Sequence, residues 1–279
     1  MPLVDIRHMA AEAAAEAVGL GAFNVVLLEF AHAEVEAAES VNRPVILQLS
    51  QNAIKYHGGK IAPLGKALLA LAEEASVPVA VHLDHADDVD LCRAAVDLGF
   101  NSVMYDGSHL PDDENRETTA KVVEFCHAAN VAVEAELGEV GGKNGVHDPS
   151  ARTDPDDAAQ FVADTGVDLL AVAVGSSHAM TTRGAVLDTE LISAIRDAVP
   201  VPLVLHGSSG VSDDGMVAAI AAGMTKINVS TYLNVGFTGI VREVLASDET
   251  LVDPRKYVGP GRDNVRQEVA RLLNLYARR

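Results

Sequence analysis

The chain has 279 residues, with 21 Lys and Arg against 40 Asp and Glu, a formal net charge of −19 with histidine neutral. No basic run offers the face that sequence-general nucleic-acid binding needs, and no apolar run approaches the roughly 18 residues of a membrane-spanning helix. Apolar residues make up 48 % of the chain with only 4 % aromatic, so burial rests on aliphatic packing and global disorder is excluded. The N-terminal residues carry acidic side chains inside an Ala-rich helical pattern, without the order of a signal peptide. The expected location is cytoplasmic, with neither nucleic acid nor membrane as partner. Cys92 and Cys126 are the only cysteines, and neither sits in a Cys-x-x-Cys pair. They read as buried, aliphatic-like residues of helices.

In chain order, an Ala-rich helix over Ile6–Val18 is followed by β-branched runs that alternate with amphipathic stretches. The candidate strands are Gly21–Val26, Val45–Ser50, Val79–Asp84, Ser102–Gly107, Val131–Gly138, Leu169–Val174, Val201–Gly207 and Lys226–Thr231. Between them, Ile61–Ala75, Asp88–Leu98, Arg116–Ala129, Pro155–Thr165, Leu187–Ala198 and Asp213–Ala222 have helical spacing, and a last helix is expected over Asp263–Tyr276. Eight such units close most economically into an α/β fold, a (β/α)8 TIM barrel, because an open sheet would leave two edges to protect. No linker or composition shift divides residues 1–279, so one barrel domain is expected. The Gly-, Asp- and Asn-rich stretch from Gly138 to Asp154 reads as an active-site loop.

Chemistry in such a barrel sits at the C-terminal ends of the strands. Those ends carry Asn24, Gln48 with Ser50, the run His82-Leu83-Asp84-His85, Asp106, Glu134 with Glu136, His178, His206, and Asn228 with Ser230 and Thr231. Closing the barrel brings His85, His178 and His206 to one mouth, and three imidazoles with an open position describe a catalytic zinc site. His82 and His85 cannot both point inward from a regular strand. The reading takes His85 as the ligand, turned inward just past the strand, with His82 in support. Asp84 beside that site suits a general acid or base. Asp106 and Glu136 either hold a second metal position or orient the histidines. Gly175, the Gly207-Ser208-Ser209-Gly210 run and Asn228-Val229-Ser230-Thr231 place small residues and hydroxyls where phosphate is held in this fold.

Taken together these residues resemble the class II, metal-dependent ketose-bisphosphate aldolases, which include the fructose-bisphosphate and tagatose-bisphosphate aldolases. The resemblance runs through Ala22-Phe23-Asn24, Gln48-x-Ser50, His82-Leu83-Asp84-His85, Tyr105-Asp106-Gly107-Ser108, Glu134-Ala135-Glu136-Leu137-Gly138, Gly175-Ser176-Ser177-His178, His206 to Gly210, Asn228 to Thr231 and Asp253-Pro254-Arg255-Lys256-Tyr257. It implies that His85, His178 and His206 bind Zn2+, that Asp84 exchanges the C4 hydroxyl proton, and that Asp106 and Glu136 can hold a second or displaced divalent ion. Gly207, Ser209, Asn228, Ser230 and Thr231 would cradle dihydroxyacetone phosphate, with a monovalent cation sometimes nearby. Ser50 and Arg255 would take the distal phosphate, Arg255 being a position that a neighbouring subunit can supply in a homodimer or homotetramer.

The implied activity is carbon–carbon lyase chemistry: reversible cleavage of a ketose bisphosphate, foremost fructose 1,6-bisphosphate, to dihydroxyacetone phosphate and glyceraldehyde 3-phosphate through a metal-stabilised enediolate. Tagatose 1,6-bisphosphate and a deoxy-keto-gluconate phosphate stand as alternative substrates. A metal-dependent hydrolase on the same barrel would want a His-x-His pair on the first strand, which Ala22-Phe23-Asn24 does not supply. A non-catalytic sugar-phosphate or metal sensor would have no need of Asp84. An imine-forming reading through Lys226, near the start of a strand, is disfavoured, because a lysine near a water-open, carboxylate-rich mouth stays protonated.

Two departures from the family pattern stand out. After Gly141-Gly142 the family usually carries a Glu that exchanges the C3 proton, whereas this chain has Lys143-Asn144-Gly145, leaving Glu139 or His147 as substitutes. Ser208 replaces the second glycine of the common His-Gly-Gly-Ser-Gly run.

Overall fold

The computed structural model describes residues 3–137, 152–177 and 180–278. Eight strands form a closed barrel in sequence order: β1 (Leu20–Asn24), β2 (Val45–Ser50), β3 (Val79–Ala86), β4 (Ser102–Tyr105), β5 (Ala132–Leu137), β6 (Leu169–Val172), β7 (Leu203–Leu205) and β8 (Met224–Val229). Every pairing is parallel, and β1 closes on β8 with Leu20 opposite Lys226 and Ala22 opposite Asn228. The expected (β/α)8 barrel is therefore present. The expected strands overlap the observed ones, with no end displaced by more than two residues; β7 shrinks the most because Gly207 enters the left-handed region at φ 68° and ends the strand.

Helix α1 (Ile6–Glu16) is capped by Asp5 and closes the barrel's N-terminal end. Its Ile6, Met9, Ala10 and Ala13 pack into a cluster with Leu20, Ala22, Ile46, Ala80, Ala132, Leu169, Ala171 and Val204. A second cluster fills the space between strands and outer helices, and there Cys92 and Cys126 lie buried as free thiols, as the sequence implied. Burial pushes the Cys126 thiol up to about 12.

The outer layer comprises α2 (Leu28–Val41), α3 (Gln51–Tyr56), α4 (Ile61–Glu74), α5 (Val89–Leu98), α6 (Asp112–Ala128), α7 (Pro155–Thr165), α8 (Thr189–Ala198), α9 (Asp213–Ala222), α10 (Thr231–Ser247) and α11 (Pro254–Tyr276). The last helix starts nine residues before the expected Asp263. The Gly259-Pro260-Gly261 run reads as a break in sequence, yet α11 continues through it while packed against α2 and α10. A β-carbon at Gly261 would stand 2.8 Å from the Phe237 ring of α10, so the glycine serves close helix approach. No helix among the described residues is long and apolar enough to cross a membrane.

Candidate active site

Strand β3 supplies the central group, and a backbone irregularity makes that possible. His82 and Asp84 share one face of the strand, as alternation requires. His85 adopts φ 48°, in the left-handed region, and the β3–β4 register shifts between Leu83 and Ala86. His85 is thus turned by a bulge inside the strand and not, as expected, by a loop beyond it. The distortion lets consecutive residues Asp84 and His85 serve the same mouth.

The imidazole of His85 is fixed by Asp106, whose Oδ2 lies 2.7 Å from Nδ1, so that Nε2 is the nitrogen turned away from this carboxylate. Asp106 is held in turn by the Ser108 hydroxyl and amide, which donate to Oδ1 at 2.7 and 3.3 Å. Of the two readings offered for Asp106, this geometry is that of a carboxylate orienting a histidine. His206, fully buried just past β7, places Nε2 at 3.0 Å from Glu134 Oε1 and Nδ1 at 3.3 Å from Glu136 Oε2. The His85 and His206 rings meet edge to face with centroids 4.6 Å apart.

His85, Glu136 and His206 each offer one ligand atom, and these atoms all lie within 4.8 Å of one another. Two imidazoles and a carboxylate make a donor set that suits a divalent transition ion. The surroundings favour positive charge as well: burial lowers the His206 pKa, but hydrogen bonds to Glu134 and Glu136 outweigh it and push it up to about 9. His178, the third expected ligand, lies outside the described residues, as do Gly141, Gly142, Lys143, Asn144, Glu139 and His147 of the expected loop.

Asp84 is 2 % exposed and its Oδ2 accepts from the Asn24 amide at 2.7 Å, while the Gln48 amide donates to Asn24 Oδ1 at 3.2 Å. This relay across β2, β1 and β3 aims the carboxylate. Burial raises the Asp84 pKa, but the positive groups His85, Lys226 and His206 outweigh it and leave the carboxyl below its ordinary value. Asp84 is therefore ionised at neutral pH and competent as a base. Asn24, expected as a substrate contact, is engaged here in orienting Asp84.

Beneath this layer lies a polar stratum whose members the sequence names but whose connections it does not show. Lys226 is fully buried, with Nζ 2.8 Å from Glu134 Oε2 and donating to Asn228 Oδ1 at 2.9 Å. The expectation that Lys226 sits near a water-open mouth is corrected. It lies inside the barrel, third along β8, and its pairing with Glu134 still opposes an imine-forming role. Glu134 is held well below the usual carboxylate range, since Lys226 and the His206 hydrogen bond overcome burial. His82 bonds through Nδ1 to the Ser102 hydroxyl at 2.8 Å, and burial followed by Lys226 pushes it down to about 3, so it stays neutral. The available signal was period two: Glu134 and Glu136, like Lys226 and Asn228, must share an inward face.

The loops after β6, β7 and β8 form one tied unit. The Ser176 hydroxyl donates to the His206 carbonyl at 2.6 Å, Ala185 N to the Gly210 carbonyl at 2.9 Å, and Arg183 Nε to the Val211 carbonyl at 2.7 Å. Gly207 packs so closely on Ser177 that a β-carbon would come within 2.6 Å of its backbone, at a φ of 68° that other residues avoid. Gly175 has φ 110° and a β-carbon there would meet Val186 O and the Arg152 guanidinium. Ser209 Oγ accepts from Tyr232 N at 3.1 Å, and Ser230 and Thr231 begin α10, whose first-turn amides face this loop. The arrangement brings Gly207, Ser209, Asn228, Ser230 and Thr231 together, and a helix N-terminus among them suits an anion.

Two further expected residues have local partners of their own. Ser50 caps α3, its hydroxyl accepting from Ala53 N at 3.2 Å. Arg255 stands at the start of α11 with its side chain 89 % exposed, paired with Asp253 at 2.8 Å and not with a strand-end residue.

A closed parallel barrel with imidazoles and carboxylates gathered at one mouth has the framework of an enzyme acting at the C-terminal ends of its strands. The family described as Fructose-bisphosphate aldolase class-II matches residues 4–278. The chain is 42 % identical over 273 residues to a protein of Geobacillus stearothermophilus named fructose-bisphosphate aldolase, covering 96 % of this chain and 95 % of the relative. A Staphylococcus aureus protein of the same name is 40 % identical over the same shares. Among solved structures, the YdjI aldolase of Escherichia coli K12 superposes with a TM-score of 0.86 at 33 % identity, covering 98 % of this chain and 97 % of that one. The fructose-bisphosphate aldolase of Campylobacter jejuni gives 0.81 at 25 % identity, over 97 % and 93 % of the two chains. The chain belongs to the class II fructose-bisphosphate aldolase family, a family of metal-dependent carbon–carbon lyases.

Proposed function

We propose that this chain is a zinc-dependent aldolase that reversibly cleaves fructose 1,6-bisphosphate to dihydroxyacetone phosphate and glyceraldehyde 3-phosphate. The observation that carries the reading is Asp84, an ionised carboxylate aimed by Asn24, next in sequence to a histidine that groups with Glu136 and His206 within 4.8 Å. His85, His206 and His178 would hold Zn2+, with Glu136 at a second or displaced position and Asp106 fixing the His85 ring. When bound, the ion supplies Lewis-acid polarisation of the ketose carbonyl.

The chain's own groups do the rest. Asp84 takes the C4 hydroxyl proton, the C4 oxygen becomes the aldehyde carbonyl, and the C3–C4 bonding pair passes to the ketone fragment. C3 then takes up a proton, for which Glu139 and His147 are the donors to test. Gly175, Gly207, Ser209, Asn228, Ser230 and Thr231 hold the phosphate of the ketone fragment, with a monovalent cation as a further ligand of this region. Ser50 and Arg255 take the distal phosphate. The full exposure of the Arg255 guanidinium supports its donation to a second subunit, hence a homodimer or homotetramer acting in the cytoplasm.

The departure at Lys143-Asn144 favours a second reading in which the ketose is another one, tagatose 1,6-bisphosphate or a deoxy-keto-gluconate phosphate. Coupled cleavage of each candidate, untreated, after a strong chelator and after zinc is restored, tests both. The reading expects chelator-sensitive turnover of fructose 1,6-bisphosphate that returns with zinc. Turnover that survives full metal removal would overturn it. Unchanged turnover in both Glu139→Gln and His147→Asn would eliminate those two proton donors.

A further inference from the structure

A lysine with no exposed surface is costly to bury unless every polar demand is met. Lys226 donates a hydrogen bond to Asn228 Oδ1 at 2.9 Å and forms an ion pair with Glu134 Oε2 at 2.8 Å, two groups that belong to different parts of the site. Each contact fixes more than itself. With Oε2 drawn to Lys226, Glu134 presents Oε1 to His206 Nε2 at 3.0 Å, which leaves Nδ1 as the His206 atom on the side of Glu136. An ammonium has donors only, so the Asn228 atom it meets must be the amide oxygen, and the two amide N–H donors of Asn228 point the other way. Asn228 is 8 % exposed, the least buried member of this set, on the side where β8 runs into the Ser230–Thr231 helix start.

From this we propose that Lys226 is a positioning residue that locks the His206 imidazole and the Asn228 amide in one fixed relation, coupling the ion-binding half of the site to the phosphate-binding half. The inference rests on the aldolase reading for what those halves hold, and on geometry alone for the coupling. A lysine that only balanced the charge of Glu134 would serve equally well without the Asn228 contact.

Two variants separate the roles. Lys226→Met leaves Glu134 Oε2 buried without its cation and lowers the melting temperature. Lys226→Met/Glu134→Gln removes both charges and returns it toward that of the parent. The readouts are Zn2+ affinity of the metal-free protein by chelator competition, and affinity of the zinc-loaded protein for dihydroxyacetone phosphate by calorimetry. The double variant is expected to stay folded yet bind both about tenfold more weakly, the lower end of what losing a partner of a metal ligand costs. Affinities within twofold of the parent in the folded double variant would overturn the proposal. In the unaltered protein, the 15N signal of the Lys226 ammonium should be slow to exchange and should shift when Zn2+ or dihydroxyacetone phosphate is added. A signal indifferent to both would overturn the proposal even if neither variant folds. A parent protein that binds neither Zn2+ nor dihydroxyacetone phosphate would instead sink the aldolase reading, a result distinct from variants that match their parent.

Discussion

The inward residues of a single strand change character along its length, and the two ends of the barrel differ accordingly. On β3 the inward positions run Ala80, His82, Asp84; on β5, Ala132, Glu134, Glu136; on β1, Leu20, Ala22, Asn24. The first positions of these series pack with α1 in a wholly apolar plug. The later ones form two polar layers, a lower one of His82, Ser102, Glu134 and Lys226 and an upper one of Asn24, Asp84, Glu136, His206 and Asn228. Apart from the half-buried Asn24 both ends are buried, so burial alone does not distinguish scaffold from site. What differs is how the interior is satisfied: by contact at one end, and by hydrogen bonds and ion pairs that fix each group's orientation at the other.

If that division is real, substitutions at the two ends should separate turnover from stability. The largest expected effect is at the top. Asp84→Asn keeps the shape and should keep the melting temperature, but is expected to lower kcat by about 10²–10⁴-fold, the usual contribution of a positioned acid or base. A variant within fivefold of the parent enzyme in steady-state cleavage would break the comparison.

At the bottom the pattern should invert. Ile46→Ala removes a fully buried side chain from the plug, with an expected loss of about 2–5 kcal/mol in denaturant unfolding and a kcat near that of the parent. A large fall in kcat with stability intact would show that the plug and the site are not separable.

A smaller effect sharpens the contrast by going outside the barrel. Glu34 on α2 is fully buried, and neither carboxylate oxygen has a hydrogen-bond partner among the described residues. Burial raises its pKa well above the ordinary 4.5. Above pH 4.5 the unfolded chain ionises while the folded protein stays protonated, so this group costs stability as pH rises from there toward its folded pKa. Glu34→Leu should therefore raise the melting temperature, by an increment that grows between pH 4 and pH 8. An increment that shrinks over that range would contradict the assignment. The polar layers of the site show the opposite design, with each buried carboxylate given a cationic or donor partner.

The sequence made the architecture legible because β-branched runs, helical spacing and Gly or Pro exits agree unit by unit. It also exposed the mouth, since polar residues at strand ends are visible one at a time. It did not show what those residues do to one another. Asn24 reads as a ligand contact, and only the fold shows its amide on Asp84; Ser50 reads as a phosphate group, and only the fold shows its hydroxyl also capping α3. The depth of Lys226 along β8, and with it its shielding from the mouth, depends on the register with β1 and β7, which no local pattern encodes. The turn at His85 likewise rests on a left-handed backbone at a non-glycine position, a conformation that local propensity argues against. Helix α11 passes through Gly259-Pro260-Gly261 because tertiary packing overrides the local breaker.

Central to the proposed chemistry is an ion held by the histidines and Glu136 at the mouth, beside an ionised Asp84. Anomalous diffraction at the zinc absorption edge, on crystals of the zinc-loaded protein, addresses it directly. The account predicts a single strong peak between the His85 and His206 rings, within ligand distance of both and adjacent to Asp84. A peak elsewhere on the molecule, or none between these two rings at full zinc loading, would contradict it.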